Sequence, residues 1–232
     1  MAKKKNKSWL KWLGFIIAIP SLLFNFFLVS RPTSDYGIKV LEVLDGDTLL
    51  LDGKVRLRLR QVDSPELEYC YGQESKDYLE SLVKDKKITI QEKILDQRGR
   101  AMALVYLGKD LINLKIVANG FGRYHSDKTS QTENLKIAGN LAKKNQLGVY
   151  SPNCYQKDKN LDNPDCIIKG NIDLNNQSLK RYYFPGCAQY NSTIVEKDKD
   201  EQWFCTESEA QKAGYTKAKS CYNQKFISPS NN

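Results

Sequence analysis

The sequence predicts a mainly β chain with helices: a small five-stranded barrel of the OB type carrying about three helices, with a small α+β domain behind it and an anchor helix in front. Three observations carry this. Several strand-like runs follow one another without helical crossovers inside about 115 residues, as a small closed barrel requires. Five of the six cysteines lie beyond residue 150, which marks a boundary there. An apolar run at 13–29, interrupted only by Pro20, Ser21 and Asn25, follows a cluster of lysines, a pattern of targeting and not of core.

The N-terminus holds Lys3, Lys4, Lys5, Lys7 and Lys11 and no acid in its first 12 residues. The 17-residue run LGFIIAIPSLLFNFFLV sits at the short end for spanning a bilayer. The SRPTSD that follows lacks the small-x-small pattern of signal peptidase sites, so an uncleaved anchor through residues 13–29 is favoured over a cleaved signal. The lysines then stay in the cytoplasm and the rest of the chain faces outward, or is secreted if the segment is cut. The net charge of +9 is mostly this terminus: the first 12 residues give +5, Arg31 +1 and residues 151–232 +1, which leaves +2 for 35–150. That balance is weak evidence for a polyanion partner.

After a linker at 31–36, GIKVLEVLDGDTLLL (37–51) has strand-like apolar content broken by the turn Asp45-Gly46-Asp47. The turn Asp52-Gly53 leads into KVRLRLRQVD, whose alternation puts Val55, Leu57, Leu59 and Gln61 on one face and Arg56, Arg58, Arg60 and Val62 on the other. QESKDYLESLVKD (73–85) has the helical spacing, with Tyr78, Leu79, Leu82 and Val83 apolar. KKITIQEKIL (86–95) and AMALVYL (101–107) are strands joined by the turn DQRGR. LINLKIVANG (111–120) is a helix stopped at Gly120, and 132–150 is another. The domains are thus 1–34 with the anchor, 35–151 the barrel, 152–166 a polar connector, and 167–232 the cysteine-containing domain and tail.

The stretch 45–66 gathers five carboxylates and three arginines. Asp45 and Asp47 close one strand, and Asp63, Ser64 and Glu66 close another. Carboxylates on adjoining strand ends suit a hard cation such as Ca²⁺, which takes several oxygen ligands. Arg58, five residues before Asp63, can clamp a phosphate with two parallel donors. The turn DQRGR adds Arg98 and Arg100.

The order DGDT, then R-x-x-x-x-D-S-P-E, then G-R opening a strand, resembles the staphylococcal nuclease (thermonuclease) domain, over about half the chain. The resemblance implies that Asp47 and Asp63 hold Ca²⁺, with the backbone carbonyl of Ser64 as a third ligand and Asp45 acting through the turn or a bound water. It implies that Glu66 orients or deprotonates the attacking water, and that Arg58 and Arg100 grip the phosphate in a five-coordinate transition state. The substrates would be DNA and RNA, and the products 3′-phosphates. Family members often place Lys and Tyr in the turn that here holds Gln97 and Arg98. Grip on the outer phosphate then falls to Arg98, or to Arg123 and Tyr124. His125, the chain's one histidine, has no partner in the motif and reads as a surface or groove residue. A surface module that binds nucleic acid without cutting it is the rival reading, and the retained Asp47, Asp63, Glu66, Arg58 and Arg100 argue against it.

Residues 167–221, with IIKGNI, YYFPGC, QWFC and TESEAQKAGYTKAKSC, end in a part that resembles the small zinc-binding domain of a bacterial alkylation-repair methyltransferase. Tyr183 and Ala218 stand where that domain has the first cysteine of each pair, leaving Cys187 and Cys221, and two thiolates do not make a structural zinc site. The resemblance implies a Cys187–Cys221 disulfide in place of the metal and pairs Cys166 with Cys205, which leaves Cys70 with Cys154. The aromatic set Tyr182, Tyr183, Phe184, Tyr190, Trp203 and Phe204 reads as core before it reads as a base-stacking surface.

Overall fold

The computed structural model of the protein describes residues 37–228 apart from 174, 175 and 177. The segment 13–29, with its expected role as an anchor, lies outside them. No helix among the described residues is long and apolar enough to cross a membrane.

Strand β1 (Ile38–Val43) buries Val40 and Val43, an odd spacing that simple alternation cannot give. A shift in its register with β2 (Thr48–Leu51), between Val40 and Glu42, supplies the extra residue. Leu57 and Leu59 of β3 (Val55–Leu59) face inward, as the sequence predicts, and Leu49 and Leu51 of β2 do the same. Beyond Leu59 the alternation breaks. Gln61 takes a positive φ of 62°, and the chain turns before β4 (Val62–Asp63), so Val62 joins the core instead of the arginine face. Arg60 is likewise buried, its guanidinium bound to Asp127 and to the carbonyls of Glu92 and Lys128.

Helix α1 (Gly72–Val83) buries Leu79 and Val83 one turn apart. Then come β5 (Lys87–Leu95), β6 (Ala101–Leu107), the short β7 (Asp110–Leu111) and α2 (Ile112–Ala118). β6 pairs antiparallel with β5 and parallel with β3, and this second pairing closes β1, β2, β3, β5 and β6 into a five-stranded barrel. Because α2 covers the outside of β6, Ala103, Leu104 and Val105 are buried in succession. Asn113 of α2 seals this contact: its Oδ1 accepts from Val105 N–H at 2.8 Å and its Nδ2 donates to the Arg60 carbonyl at 2.8 Å.

After β8 (Arg123–Tyr124), α3 (Thr132–Lys144) packs Leu135, Ala138, Gly139 and Ala142 inward. The expected helix to residue 150 is therefore too long. Gln146 and Gly148 both take positive φ, and a short 3₁₀ turn (Gly148–Tyr150) replaces its end. Gly148 lies so close to the end of α2 that a Cβ there would sit 2.0 Å from the Gly120 carbonyl oxygen.

The segment expected as a plain connector carries β9 (Tyr155–Gln156), which pairs with β12 (Val195–Glu196). Between them run β10 (Ile168–Ile172) and β11 (Lys180–Tyr183); after them come β13 (Trp203–Phe204), α4 (Glu207–Lys212) and β14 (Thr216–Lys217). These form a four-stranded sheet in the order β13-β10-β11-β14. Its core is Tyr182, Phe184, Phe204 and Tyr215, with Tyr183 and Tyr190 packed at the edge, so most of the aromatic set serves packing. Disulfides join Cys70 to Cys154, Cys166 to Cys205 and Cys187 to Cys221, the pairs named above, and no described cysteine is free. Residues from Ile38 onward make one compact unit, although the barrel and the C-terminal sheet keep separate hydrophobic clusters.

Candidate active site

The turn after β1 is organised by its own carboxylates. Asp45 Oδ1 accepts the Asp47 N–H at 2.9 Å, and the Asp47 carbonyl accepts the Leu59 N–H at 2.7 Å, which ties the turn to β3. Gly46 is required by a close approach. A Cβ there would meet Cβ of Ser75 at 2.6 Å and Cβ of Ser64 at 2.7 Å. The missing side chain lets the 45–47 turn lie directly against residue 64.

Asp47 is therefore buried, its side chain only 1% exposed. Its Oδ1 accepts from the Thr48 hydroxyl at 3.0 Å, and its Oδ2 from the Ser64 N–H at 2.9 Å. The same Oδ2 lies 2.8 Å from Nη2 of Arg58. Burial pushes the Asp47 carboxyl up to about 7, against the pull of Arg58 and with a further push from Asp45. That one Arg58 nitrogen also lies 2.7 Å from Asp63 Oδ1, so the two carboxylates converge on a single point of positive charge. Asp63 itself is half exposed at the end of β4.

Glu66 is exposed, and its carboxylate makes no hydrogen bond or ion pair among the described residues. The chain folds back over it: Tyr69 N–H donates to the Glu66 carbonyl at 3.0 Å, and a Cβ on Gly72 would lie 1.9 Å from that same oxygen. Arg100 stands at the barrel closure. Arg58 pairs with Met102 across β3 and β6, and Arg100 lies in the turn that enters β6, two residues before Met102. Asp96 holds it, accepting from its N–H at 2.8 Å and its Nε at 2.6 Å. The Arg100 N–H, with help from the Arg100 side chain and the Arg98 N–H, keeps the Asp96 carboxyl below its ordinary value.

Of the residues expected to grip the outer phosphate, Arg98 is exposed in the Asp96 turn, whereas Arg123 is committed elsewhere. Its Nε and Nη2 donate to Asp198 at 2.6 and 2.9 Å and its Nη1 to Glu196 at 3.0 Å. Burial alone would lower the Arg123 pKa, but the hydrogen bonds and charges of these acids hold it above its usual value. Arg123 thus spends its guanidinium on a buried ion pair, and Arg98 is the expected phosphate ligand left exposed. Tyr124 packs against the barrel core, and His125 is exposed. Sequence reasoning missed Thr48 as a donor to Asp47, Asp96 as the holder of Arg100, and the acids around Arg123. The first two were visible as DGDT and as an Asp opening the DQRGR turn. The acids lie 73 and 75 residues from Arg123, and no local pattern marks them.

A buried and an exposed carboxylate converging on one guanidinium, on a small barrel, define a protein equipped to handle phosphate esters. The comparisons agree. The family model described as "Staphylococcal nuclease homologue" matches residues 56–152. An endonuclease of Haemophilus influenzae, described as uncharacterized, is 31% identical over 142 residues, covering 59% of this chain and 79% of its own. A thermonuclease of Staphylococcus hyicus is 29% identical over 164 residues, covering 60% and 96%. An uncharacterized endonuclease of Escherichia coli O157:H7 is 33% identical over 143 residues, covering 57% and 88%. The chain belongs to the staphylococcal nuclease family and is a nuclease, a hydrolase of phosphodiester bonds. The family match ends at residue 152 and lends no support to the expected likeness of the C-terminal part to a methyltransferase zinc-binding domain.

Proposed function

We propose that this nuclease is Ca²⁺-dependent, cuts both DNA and RNA, and leaves 3′-phosphate ends. The observation that carries the reading is the convergence of Asp47 and Asp63 on one cationic nitrogen. The donors beside it are all oxygens, which suits a hard divalent ion and not a soft one. Asp47, Asp63 and the Ser64 carbonyl would hold the ion. When bound, Ca²⁺ supplies positive charge that offsets the repulsion between a phosphodiester anion and an incoming nucleophile.

The chain's own groups carry the rest. Glu66, exposed and unpaired, accepts a proton from the attacking water at a carboxylate oxygen. Arg58, on β3, and Arg100, in the turn that enters β6, donate to the phosphate oxygens as charge builds on them. Asp96 presents Arg100 with its backbone fixed by the turn. The lysine cluster and apolar run in residues 1–29 support a location outside the cytoplasm, anchored or secreted, and three disulfides fit an oxidising compartment. The C-terminal sheet, closed by Cys187–Cys221, reads as a disulfide-bonded counterpart of the zinc-binding domain it resembles. The test is cleavage of plasmid DNA and of RNA by the purified full chain, with Ca²⁺ or with chelator, followed by analysis of the ends. Full cleavage in chelator would remove the metal from the account, and 5′-phosphate ends would reverse the assigned polarity.

A further inference from the structure

We propose that the C-terminal unit clamps the segment that carries Asp63 and Glu66, with Arg123, Asp198, Cys70 and Cys154 as positioning residues for Glu66; this rests on the role given to Glu66 above. Both ends of residues 63–72 are tied to the same short turn of the C-terminal unit. At the first end, Asp63 is the cross-strand partner of Arg123. β4 and β8 are two residues each, too short to hold a register by their own hydrogen bonds. The Arg123 guanidinium fixes it instead, with two donors on Asp198, one on Glu196, and the Tyr150 ring 4.8 Å away. The Asp198 side chain is 2% exposed, so this charge-assisted pair is shielded from solvent and geometrically strict.

At the second end, Cys70 is bonded to Cys154, and its N–H donates to the Lys197 carbonyl at 3.4 Å. Lys197 N–H returns to the Cys154 carbonyl at 2.9 Å. The 3₁₀ turn Lys197–Lys199 therefore receives Cys70 through its first residue and Arg123 through its second. Between the two ties the segment does not pack solidly on the C-terminal unit. A cleft of about 400 Å³ separates Glu68 and Tyr69 from Asp162, Lys197 and Trp203. The attachment to the C-terminal unit is made by the ties and not by continuous packing, so cutting either one removes a restraint on the segment that bears Glu66. A general base must hold its place closely, and displacement by about 1 Å can cost about 100-fold in rate.

The experiment uses the full chain with Ca²⁺ and duplex DNA, comparing Asp198→Asn and the Cys70→Ser/Cys154→Ser double variant in the wild-type and Glu66→Gln backgrounds. In the wild-type background, kcat is expected to fall about 10- to 100-fold with KM changed by less than about 2-fold. In the Glu66→Gln background the same changes are expected to alter kcat by less than about 2-fold, because the group they position is already gone. Circular dichroism establishes folding at the assay temperature. Where a variant unfolds there, Arg123→Lys, which keeps the charge and loses the two-pronged grip, takes its place. Equal losses in both backgrounds, or a change in KM alone, would show a merely structural tie and overturn the proposal. A large loss in Glu66→Gln with wild-type turnover in the tie variants overturns the clamp alone. Wild-type turnover in Glu66→Gln overturns the role of Glu66, and the clamp with it.

Discussion

Gly46→Ala puts a methyl group into the narrowest place of the site. The glycine's φ is not positive, so alanine meets no backbone strain and the effect is purely steric. Its Cβ would lie 2.6 Å from Ser75 Cβ and 2.7 Å from Ser64 Cβ, where carbon atoms need about 3.5 Å or more. Both neighbours are Cβ atoms fixed to backbone, so the 45–47 turn and residue 64 must separate by about 1 Å. The Ser64 N–H···Asp47 bond, now 2.9 Å, would then stretch beyond hydrogen-bonding range. Overpacking costs about 1–3 kcal/mol, and a buried carboxylate that loses a donor costs about 1–3 kcal/mol more. Relaxation shares these terms, so urea unfolding should show a loss of about 2–4 kcal/mol. Turnover should fall about 100-fold, because Asp47, Ser64 and Arg58 no longer converge. Gly53→Ala is the control. It lies in open space at φ 79°, so it should cost about 1 kcal/mol of stability and leave turnover intact. Stability within about 0.5 kcal/mol of wild type together with normal turnover in Gly46→Ala would refute the reasoning.

Arg58→Lys and Arg100→Lys should each lower turnover about 100-fold, since an ammonium cannot replace a planar two-pronged donor; steady-state kinetics on DNA checks this, and near-normal turnover would move the phosphate grip to Arg98. The purified protein should contain no stoichiometric zinc and no titratable thiol, and reduction should loosen the C-terminal sheet, where closing Cys187–Cys221 restrains the unfolded chain by about 3–4 kcal/mol. One equivalent of zinc would contradict this. Lys169 is held by the carbonyls of Tyr190 and Thr193, and burial brings its pKa down to about 8. The unfolded chain therefore binds this proton more tightly, and the position adds stability as pH rises from about 8 towards 10. Denaturation across that window should show wild type gaining on Lys169→Met by about 1–3 kcal/mol, and parallel curves would refute it.

The sequence was informative wherever structure depends on neighbours a few residues apart. Alternation placed Leu57 and Leu59 inward, helical spacing placed Leu79 and Val83, and the DGD and DG turns broke the strands where glycine and Asx chemistry break them. The same short range made Asp47, Arg58, Asp63 and Glu66 readable as a set, because they are close in sequence on one hairpin and its exit. It failed where a short-range pattern was carried too far, at Gln61 and beyond Lys144, where single residues with positive φ end the periodicity.

What the sequence by itself determined, then, is which elements form and which side chains can do chemistry, since both follow from local backbone preference and from residue type. Tertiary structure alone decided their partners. It made one Arg58 nitrogen serve two carboxylates, joined the start of β6 to β3 through their parallel pairing, and withdrew Arg123 into a buried pair with Asp198. A lone arginine in a sequence reads the same whether it will meet a phosphate or a distant aspartate. The choice is made by packing, when burial leaves a charge no water and the fold offers it only one set of opposite charges.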